Sequence, residues 1–372
     1  MKRIIGNVLN IADASRQGIL NRAAFAAKVP LLMACINALG GVFAKQKLLV
    51  AIAAGMLLLS TCFSPWAGNG NLTITWGNSG GGRWIDPSNL PNYDYTVTLR
   101  GPGGTIEKKF AKGVPSGSFN VVPGTWNVTV KGYVIKGNQG YEYLELSVMG
   151  IEQIEVKPGQ GNRETIALYN AVEINEWGEL VIEIGSFSGL NPGQSGMVLI
   201  NKDLVAGSDP VCPPDGVPVI IVAERDITIS RSSGNSYPFF NCDSSFGEKL
   251  TLTLGRKGMN GTLTLDGQLR GEISPQGSEQ PAVSINSDQA VGDDCTLNMY
   301  DGVTIKGNRY LDHGCGVIIK CNAVFNMYGG TITGNDVGVY FDSQGGSPKF
   351  VKTGGKVSGN TNGNYSNGVW TD

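Results

Sequence analysis

Residues 299–308 read MYDGVTIKGN, and close copies return as MYGGTITGN at 327–335 and as KTGGKVSGN at 352–360. The copies end on Asn308, Asn335 and Asn360, at spacings of 27 residues (308 to 335) and 25 residues (335 to 360). A unit of this length with short strands and Gly-Asn turns cannot bury its apolar face alone. The repeat therefore predicts a solenoid of stacked coils near the C-terminal end.

Stacked coils place equivalent residues in rows, because each coil adds a strand about 4.8 Å from the previous one. Two inward rows are expected, and their members are Leu297, Phe325 and Phe350 in one and Ile305, Ile332 and Val357 in the other. Asn308, Asn335 and Asn360 form a third row, in a turn, where asparagine tolerates the left-handed conformation and its amide can bond along the stack. These three asparagines are interpreted as a structural turn ladder.

The copies resemble the repeats of right-handed parallel β-helix (pectin-lyase-like) proteins, which are common on bacterial surfaces. In that family an apolar-x-Met-x-Gly-Gly-x-Ile-x-Gly-Asn pattern recurs, and this chain follows it clearly over about residues 250–372 and loosely over 173–250. The resemblance implies a parallel β-helix over residues 173–372.

A different sequence pattern precedes the repeats. Short runs that alternate apolar and polar residues, such as LTITW at 72–76 and WNVTV at 126–130, are separated by Gly and Pro, which favours an antiparallel β-sandwich over residues 71–172. Pro123-Gly124-Thr125 has the chemistry of a hairpin turn. The run 122–133 resembles the carboxypeptidase-regulatory-like, transthyretin-type modules, which implies a spacer or recognition unit without catalytic residues. The predicted fold class is all-β.

The front of the chain carries an export signal. Lys45 and Lys47 precede an apolar run at 48–59, which is too short to span a bilayer, and the run ends at LSTC, 59–62. LSTC resembles a bacterial lipobox, which implies a signal peptide over 45–61, acylation of Cys62, and a flexible tether over 62–70. The protein is then expected in the bacterial cell envelope, lipid-anchored in the outer membrane or at the cell surface.

Residues 1–44 fit this plan poorly, because they place a second apolar stretch before the signal. They are interpreted as a misassigned start or an apolar leader; the alternative is a pair of short membrane helices flanking Lys45 and Lys47.

The composition indicates the class of structure and argues against nucleic-acid binding. With 54 glycines and 16% charged residues in 372, the chain is typical of turn-rich β-structure. A net charge of -2 provides no electrostatic footprint for nucleic acid, and no cofactor is expected.

The exported part contains five cysteines: Cys212, Cys242, Cys295, Cys315 and Cys321. Cys295 and Cys321 are 26 residues apart (295 to 321), about one coil, so they are a candidate disulfide. No two cysteines have Cys-x-x-Cys spacing, so a sulfur-ligated metal is not expected.

The acidic residues raise an enzymatic alternative. Asp293 and Asp294, with His313 followed by glycine, resemble fragments of the polygalacturonase active site, but the Arg-Ile-Lys of that family is missing. Asp266 and Asp301, each before a glycine, could hold Ca²⁺ if their coils were adjacent. The sequence therefore favours a non-catalytic, adhesin-like surface module that contacts glycans or host proteins. The alternative is a polysaccharide lyase or glycoside hydrolase acting in a β-helix groove.

Overall fold

The computed structural model describes residues 70–77, 92–138, 141–191, 193–232, 237–244, 249–268, 281–287, 295–309, 314–342, 346–363 and 365–366. These residues belong to one compact unit, Asn69–Asp372. The predicted leader, the predicted signal peptide and Cys62 lie outside the described residues. Within the described part of the chain, no helix is both long and apolar enough to cross a membrane.

The fold is mostly β, as predicted. Its strands are β1 (Gly70–Gly77), β2 (Asp94–Gly101), β3 (Gly104–Phe110), β4 (Ser116–Val121), β5 (Gly124–Asn138), β6 (Tyr141–Val156), β7 (Gly161–Ala167), β8 (Tyr169–Ile174), β9 (Gly196–Ile200), β10 (Leu204–Ala206), β11 (Val219–Ala223), β12 (Ile227–Arg231), β13 (Phe240–Asp243), β14 (Leu250–Leu254), β15 (Leu263–Asp266), β16 (Val283–Ser287), β17 (Cys295–Met299), β18 (Val303–Lys306), β19 (Cys315–Cys321), β20 (Val324–Met327), β21 (Thr331–Thr333), β22 (Val337–Asp342), β23 (Lys349–Lys352), β24 (Lys356–Val357) and β25 (Tyr365–Ser366). One helix, α1 (Trp177–Ser186), and a 3-10 turn (Phe187–Gly189) follow β8.

The strands form four sheets. Sheet A has the order β4-β1-β7, and sheet B the order β23-β20-β17-β14-β11-β9-β8-β6-β5-β2-β3. Sheet C is β10-β12-β15-β18-β21-β24, and sheet D is β13-β16-β19-β22-β25.

Sheet A and the β2, β5 and β6 strands of sheet B enclose one apolar core. Trp76 on β1, Trp126 on β5 and Phe119 on β4 are all buried in it. The close packing requires glycine at Gly101, where a Cβ atom would lie 2.4 Å from the Trp126 ring. Alternating burial along β1 and β2 matches the alternation of apolar residues in the sequence.

Two predictions for this region are wrong. Pro123-Gly124-Thr125 does not close a hairpin, because β4 pairs with β1 in sheet A, while β5 pairs with β2 and β6 in sheet B. The turn carries the chain from one sheet to the other, and Gly124 allows it with a φ of 130°. Sheet A is also not purely antiparallel, because β1 pairs with β7 in parallel.

From β9 onward the chain passes repeatedly through sheets B, C and D, and we call each pass a coil. The first coil holds β9 and β10, the second β11–β13, the third β14–β16, the fourth β17–β19, the fifth β20–β22 and the sixth β23–β25. Neighbouring coils pair in parallel in all three sheets. This arrangement is consistent with a β-helix.

Both predicted inward rows are present. Leu297 pairs with Phe325 and Phe325 with Phe350, whose rings stack with centroids 4.8 Å apart. The second row, Ile305, Ile332 and Val357, is likewise in register and buried. The rows follow from the parallel register, because pairing without a shift puts equivalent residues one strand spacing apart.

Sheet B runs without interruption from the antiparallel strands into the coils. β8 pairs antiparallel with β6 on one side and parallel with β9 on the other. The sequence-based boundary at 172 and 173 therefore falls inside β8.

Helix α1 covers the open end of the first coil. Trp177, Leu180 and Ile184 recur at helical spacing and bury themselves against the coil core. The Glu179 carboxylate accepts hydrogen bonds from the backbone N–H groups of Asn175 and Glu176, which satisfies donors left free at the start of the helix.

Candidate functional site

The outer face of sheet B changes character along the coils. In the first two coils the outward residues are apolar and buried, as Met197, Leu199 and Val222 show. In the later coils they are mostly polar or aromatic and partly exposed, with Val324 and Val351 as aliphatic exceptions. We call Thr253, Asn298, Tyr300, Asn326 and Tyr328 the sheet B strip; Thr253, Asn298 and Asn326 lie side by side in register on β14, β17 and β20.

Two tyrosines stack on the strip. The rings of Tyr300 and Tyr328 have centroids 4.9 Å apart at an interplanar angle of 28°. Each tyrosine follows the last residue of its strand, so the strand spacing also sets the ring spacing. Tyr328 is 44% exposed, and its ring forms a flat aromatic surface at the solvent.

A row of polar side chains lies next to the rings. The Asn326 amide donates to the Asn298 side-chain oxygen (3.1 Å), and the Asn298 amide donates to the Thr253 hydroxyl (3.3 Å). The polar row ends at Asn326, because the residue that pairs with it on β23 is Val351, which is 46% exposed. The hydrogen bonds fix the amide orientations, so the row presents ordered donors and acceptors beside an aromatic surface.

Arg256 holds the end of the strip against the antiparallel strands. Its guanidinium carbon lies 4.6 Å from the centroid of the Tyr169 ring, and the group donates to the Ile151 carbonyl (2.8 Å) and to the Tyr169 hydroxyl (2.5 Å). The Glu152 carboxylate lies 3.6 Å away. Burial raises the pKa of Tyr300, and the charge of Arg256 nearby opposes that rise.

The asparagine turn row is structural rather than exposed. Asn308 and Asn335 are both 0% exposed. The Asn308 amide donates to the Asn335 side-chain oxygen (2.9 Å), and the Asn335 amide donates to that of Asn360 (3.1 Å). A ligand at the surface cannot reach the amides of Asn308 and Asn335.

Asp293, Asp294 and His313, the residues of the enzymatic alternative, lie outside the described residues. The alternative Ca²⁺ site is not assembled, because Asp266 and Asp301 do not occupy equivalent positions in their coils. Asp266 pairs in register with Lys306, which lies five residues after Asp301, and their side chains form an ion pair at 3.3 Å. Asp301 lies in the turn after β17, where its carboxylate accepts from the Gly330 N–H. No cluster of three potential metal ligands occurs among the described residues.

The predicted Cys295–Cys321 disulfide is also wrong. The two cysteines are not bonded to each other: Cys295 is buried at the start of β17 in sheet B, whereas Cys321 ends β19 in sheet D beside Ser287. The pairing of Thr296 with Val324 shows that the coil equivalent of Cys295 is Ala323. A spacing near one coil length is therefore not enough to predict a disulfide. A difference of two residues moves a side chain around the corner from one sheet to the next.

A cavity of about 690 Å³ lies where β2, β3 and β5 meet two turns of the coils, one carrying Glu224 and the other Asn260. Its lining includes three cations, Arg100, Lys109 and Lys131, and three carboxylates, Asp94, Glu107 and Glu224. Lys131 and Glu224 form an ion pair across it. Burial, and to a lesser extent the nearby carboxylates, raise the pKa of Tyr133 in its wall to about 12. The balanced charges indicate no preference for an anion or a cation.

The sequence analysis did not single out Tyr300 and Tyr328. The available signal was the Met-Tyr pair that recurs at 299–300 and 327–328, one coil apart. No protein-family model, curated protein or solved structure matches this chain.

Proposed function

We propose that this protein is an exported bacterial lipoprotein that binds glycans through the sheet B strip and does not act on them chemically. In this proposal residues 71–172 form a β-sandwich spacer, and the coils form a right-handed parallel β-helix of the pectin-lyase-like type. The observation that carries the proposal is the exposed Tyr300–Tyr328 stack beside an ordered row of amides.

The chemistry of the strip suits a sugar. A pyranose ring has an apolar face that packs on an aromatic ring, while its hydroxyls take hydrogen bonds from amides and hydroxyls at the edge. Sites for small molecules combine these two elements, an aromatic surface and a few oriented polar groups. The parallel register repeats both elements from β17 to β20, which favours a chain of sugars over a single one.

The test is binding of purified protein to an array of bacterial and host polysaccharides, followed by titration of the best ligand. We expect Tyr328→Ala to weaken binding by about fivefold to tenfold, since an aromatic contact contributes about 1 kcal/mol. Tyr143→Ala is the matched control, because Tyr143 is 56% exposed on β6, outside the strip.

Equal losses for Tyr328→Ala and Tyr143→Ala would contradict the strip as the site. If the protein binds a host protein and no glycan, the glycan assignment is wrong. The ligand is then a host protein, the other class that the sequence favoured.

The anchor is tested separately by metabolic labelling with a fatty-acid analogue in an expressing bacterium. We expect label on the native chain and none on Cys62→Ser, with Cys212→Ser, at an exposed cysteine after the anchor, as the control that keeps the label. If the native chain carries no label, the lipoprotein assignment is contradicted.

A further inference from the structure

Two buried thiols meet inside the coils. Cys242 on β13 and Cys295 on β17 are both 0% exposed. The Cys295 thiol donates to the backbone carbonyl of Cys242 at 3.1 Å.

The coil geometry explains the contact. Cys242 lies in sheet D of the second coil and Cys295 in sheet B of the fourth, and β13 and β17 touch at the corner between those sheets. Both side chains point inward, in line with the buried apolar residues of their strands. Loops of different length between these coils bring together residues that are 53 positions apart.

Cys212 does not share this position. Val211 is buried and bridges to Phe240, so the next residue, Cys212, points to the outer side of the sheet and is exposed. Cys242 is two residues beyond Phe240 and points inward with it.

We propose that Cys242 and Cys295 form a disulfide in the exported protein and that it staples the second coil to the fourth. The Cys295 sulfur already lies 3.1 Å from the backbone carbonyl oxygen of Cys242, and strands β13 and β17 are in contact, so we expect the bond to form by rotation of the two side chains.

The reaction balances as a thiol–disulfide exchange with an external disulfide, such as oxidised glutathione or the disulfide of an exported oxidase. A thiolate from one cysteine attacks the external disulfide and releases one thiol. The thiolate of the second cysteine then displaces the other, so the protein loses two hydrogens and the external disulfide becomes two thiols.

Burial and the contact with Cys295 limit when this exchange can occur. The hydrogen bond to Cys295, together with burial, raises the pKa of the Cys242 thiol well above its ordinary value. Since the thiolate is the reactive form, the folded thiol reacts slowly, and the exchange belongs to folding, before the corner closes.

The experiment is refolding of the full chain from denaturant in a glutathione redox buffer, followed by alkylation, trypsin digestion and mass spectrometry. Trypsin releases Cys242 within 232–249 and Cys295 within 271–306, and each peptide holds a single cysteine. We expect the two peptides to be joined, with a mass two hydrogens below their sum, and reductant to separate them.

Melting temperature is the second readout. We expect reductant to lower it by roughly 5–10 °C in the oxidised native chain, because the bond closes a long loop. Cys242→Ala should remove this sensitivity, whereas Cys212→Ala should keep both the joined peptides and the sensitivity.

Refolded native chain that yields the two peptides separately alkylated would overturn the proposal. Joined peptides that pair Cys212 with either cysteine would also overturn it. In the cell, the oxidant for this disulfide depends on the proposed export. In the experiment the redox buffer supplies the oxidant, so a failure of export or of glycan binding would leave the result unchanged.

Discussion

Asn335 is fully buried although it is polar, because every coil supplies it with partners. Its side-chain oxygen accepts from the backbone N–H (3.1 Å) and the amide (2.9 Å) of Asn308, and its own amide donates to Asn360. The row ends at Asn308, whose side-chain oxygen is buried without a hydrogen-bond partner among the described residues. There the preceding coil presents Gly267, where a Cβ atom would lie 2.3 Å from that oxygen.

We expect Asn335→Ala to lower the free energy of unfolding by about 2–4 kcal/mol, because it leaves donors of Asn308 buried and unpaired. Asn326→Ala is the matched control, since Asn326 lies on the half-exposed strip, where water can replace the lost bond; its cost should be below about 1 kcal/mol. Urea denaturation of both variants checks this. Equal losses would mean that the buried row carries no special stability.

At the scale of elements, helix α1 closes the first coil as a terminal cap does in other stacked repeats. Trp177 is its largest contact: the indole is 8% exposed, packs near the rings of Phe239 and Phe240, and donates to the Asp209 carbonyl at 3.2 Å. Without this cover, the apolar interior of the coil would face water.

We expect Trp177→Ala to lower the free energy of unfolding by about 3–5 kcal/mol, in line with other large truncations in a core. Hydrogen exchange should rise first in β9 and β10, next to the cap, and less in β20. Ile182→Ala on the same helix is the control, because Ile182 is 69% exposed and its loss should change little. Uniform exchange along all the coils would contradict a capping role.

At the scale of the whole molecule, sheet B joins the antiparallel strands and the coils, and Arg256 reinforces the junction. Gly258 brings the same turn close to β6, where a Cβ atom would lie 2.7 Å from the Glu152 backbone. The contacts that join the two regions therefore include backbone pairing, a guanidinium and close packing.

We expect the wild-type chain to unfold in one calorimetric transition and Arg256→Ala to lower and broaden it, since the variant loses two hydrogen bonds and the contact with Tyr169. Arg163→Ala, at an exposed position on β7, is the control and should leave the transition unchanged. Two separate transitions in the wild-type chain would show that the regions are independent domains.

The sequence by itself determined the coils, the inward rows and the asparagine row, because they depend on residue spacing within one repeat and on the identity of Gly and Asn in turns. In the copies between 299 and 360 the loops are nearly equal in length, so position along the chain translates directly into position in the stack.

Only the tertiary structure decided the continuity of sheet B, the position of Arg256, the contact of Cys242 with Cys295 and the separation of Asp266 from Asp301. Each of these depends on unequal loops that shift the register or on packing between residues far apart in the chain, and spacing alone carries no information about either.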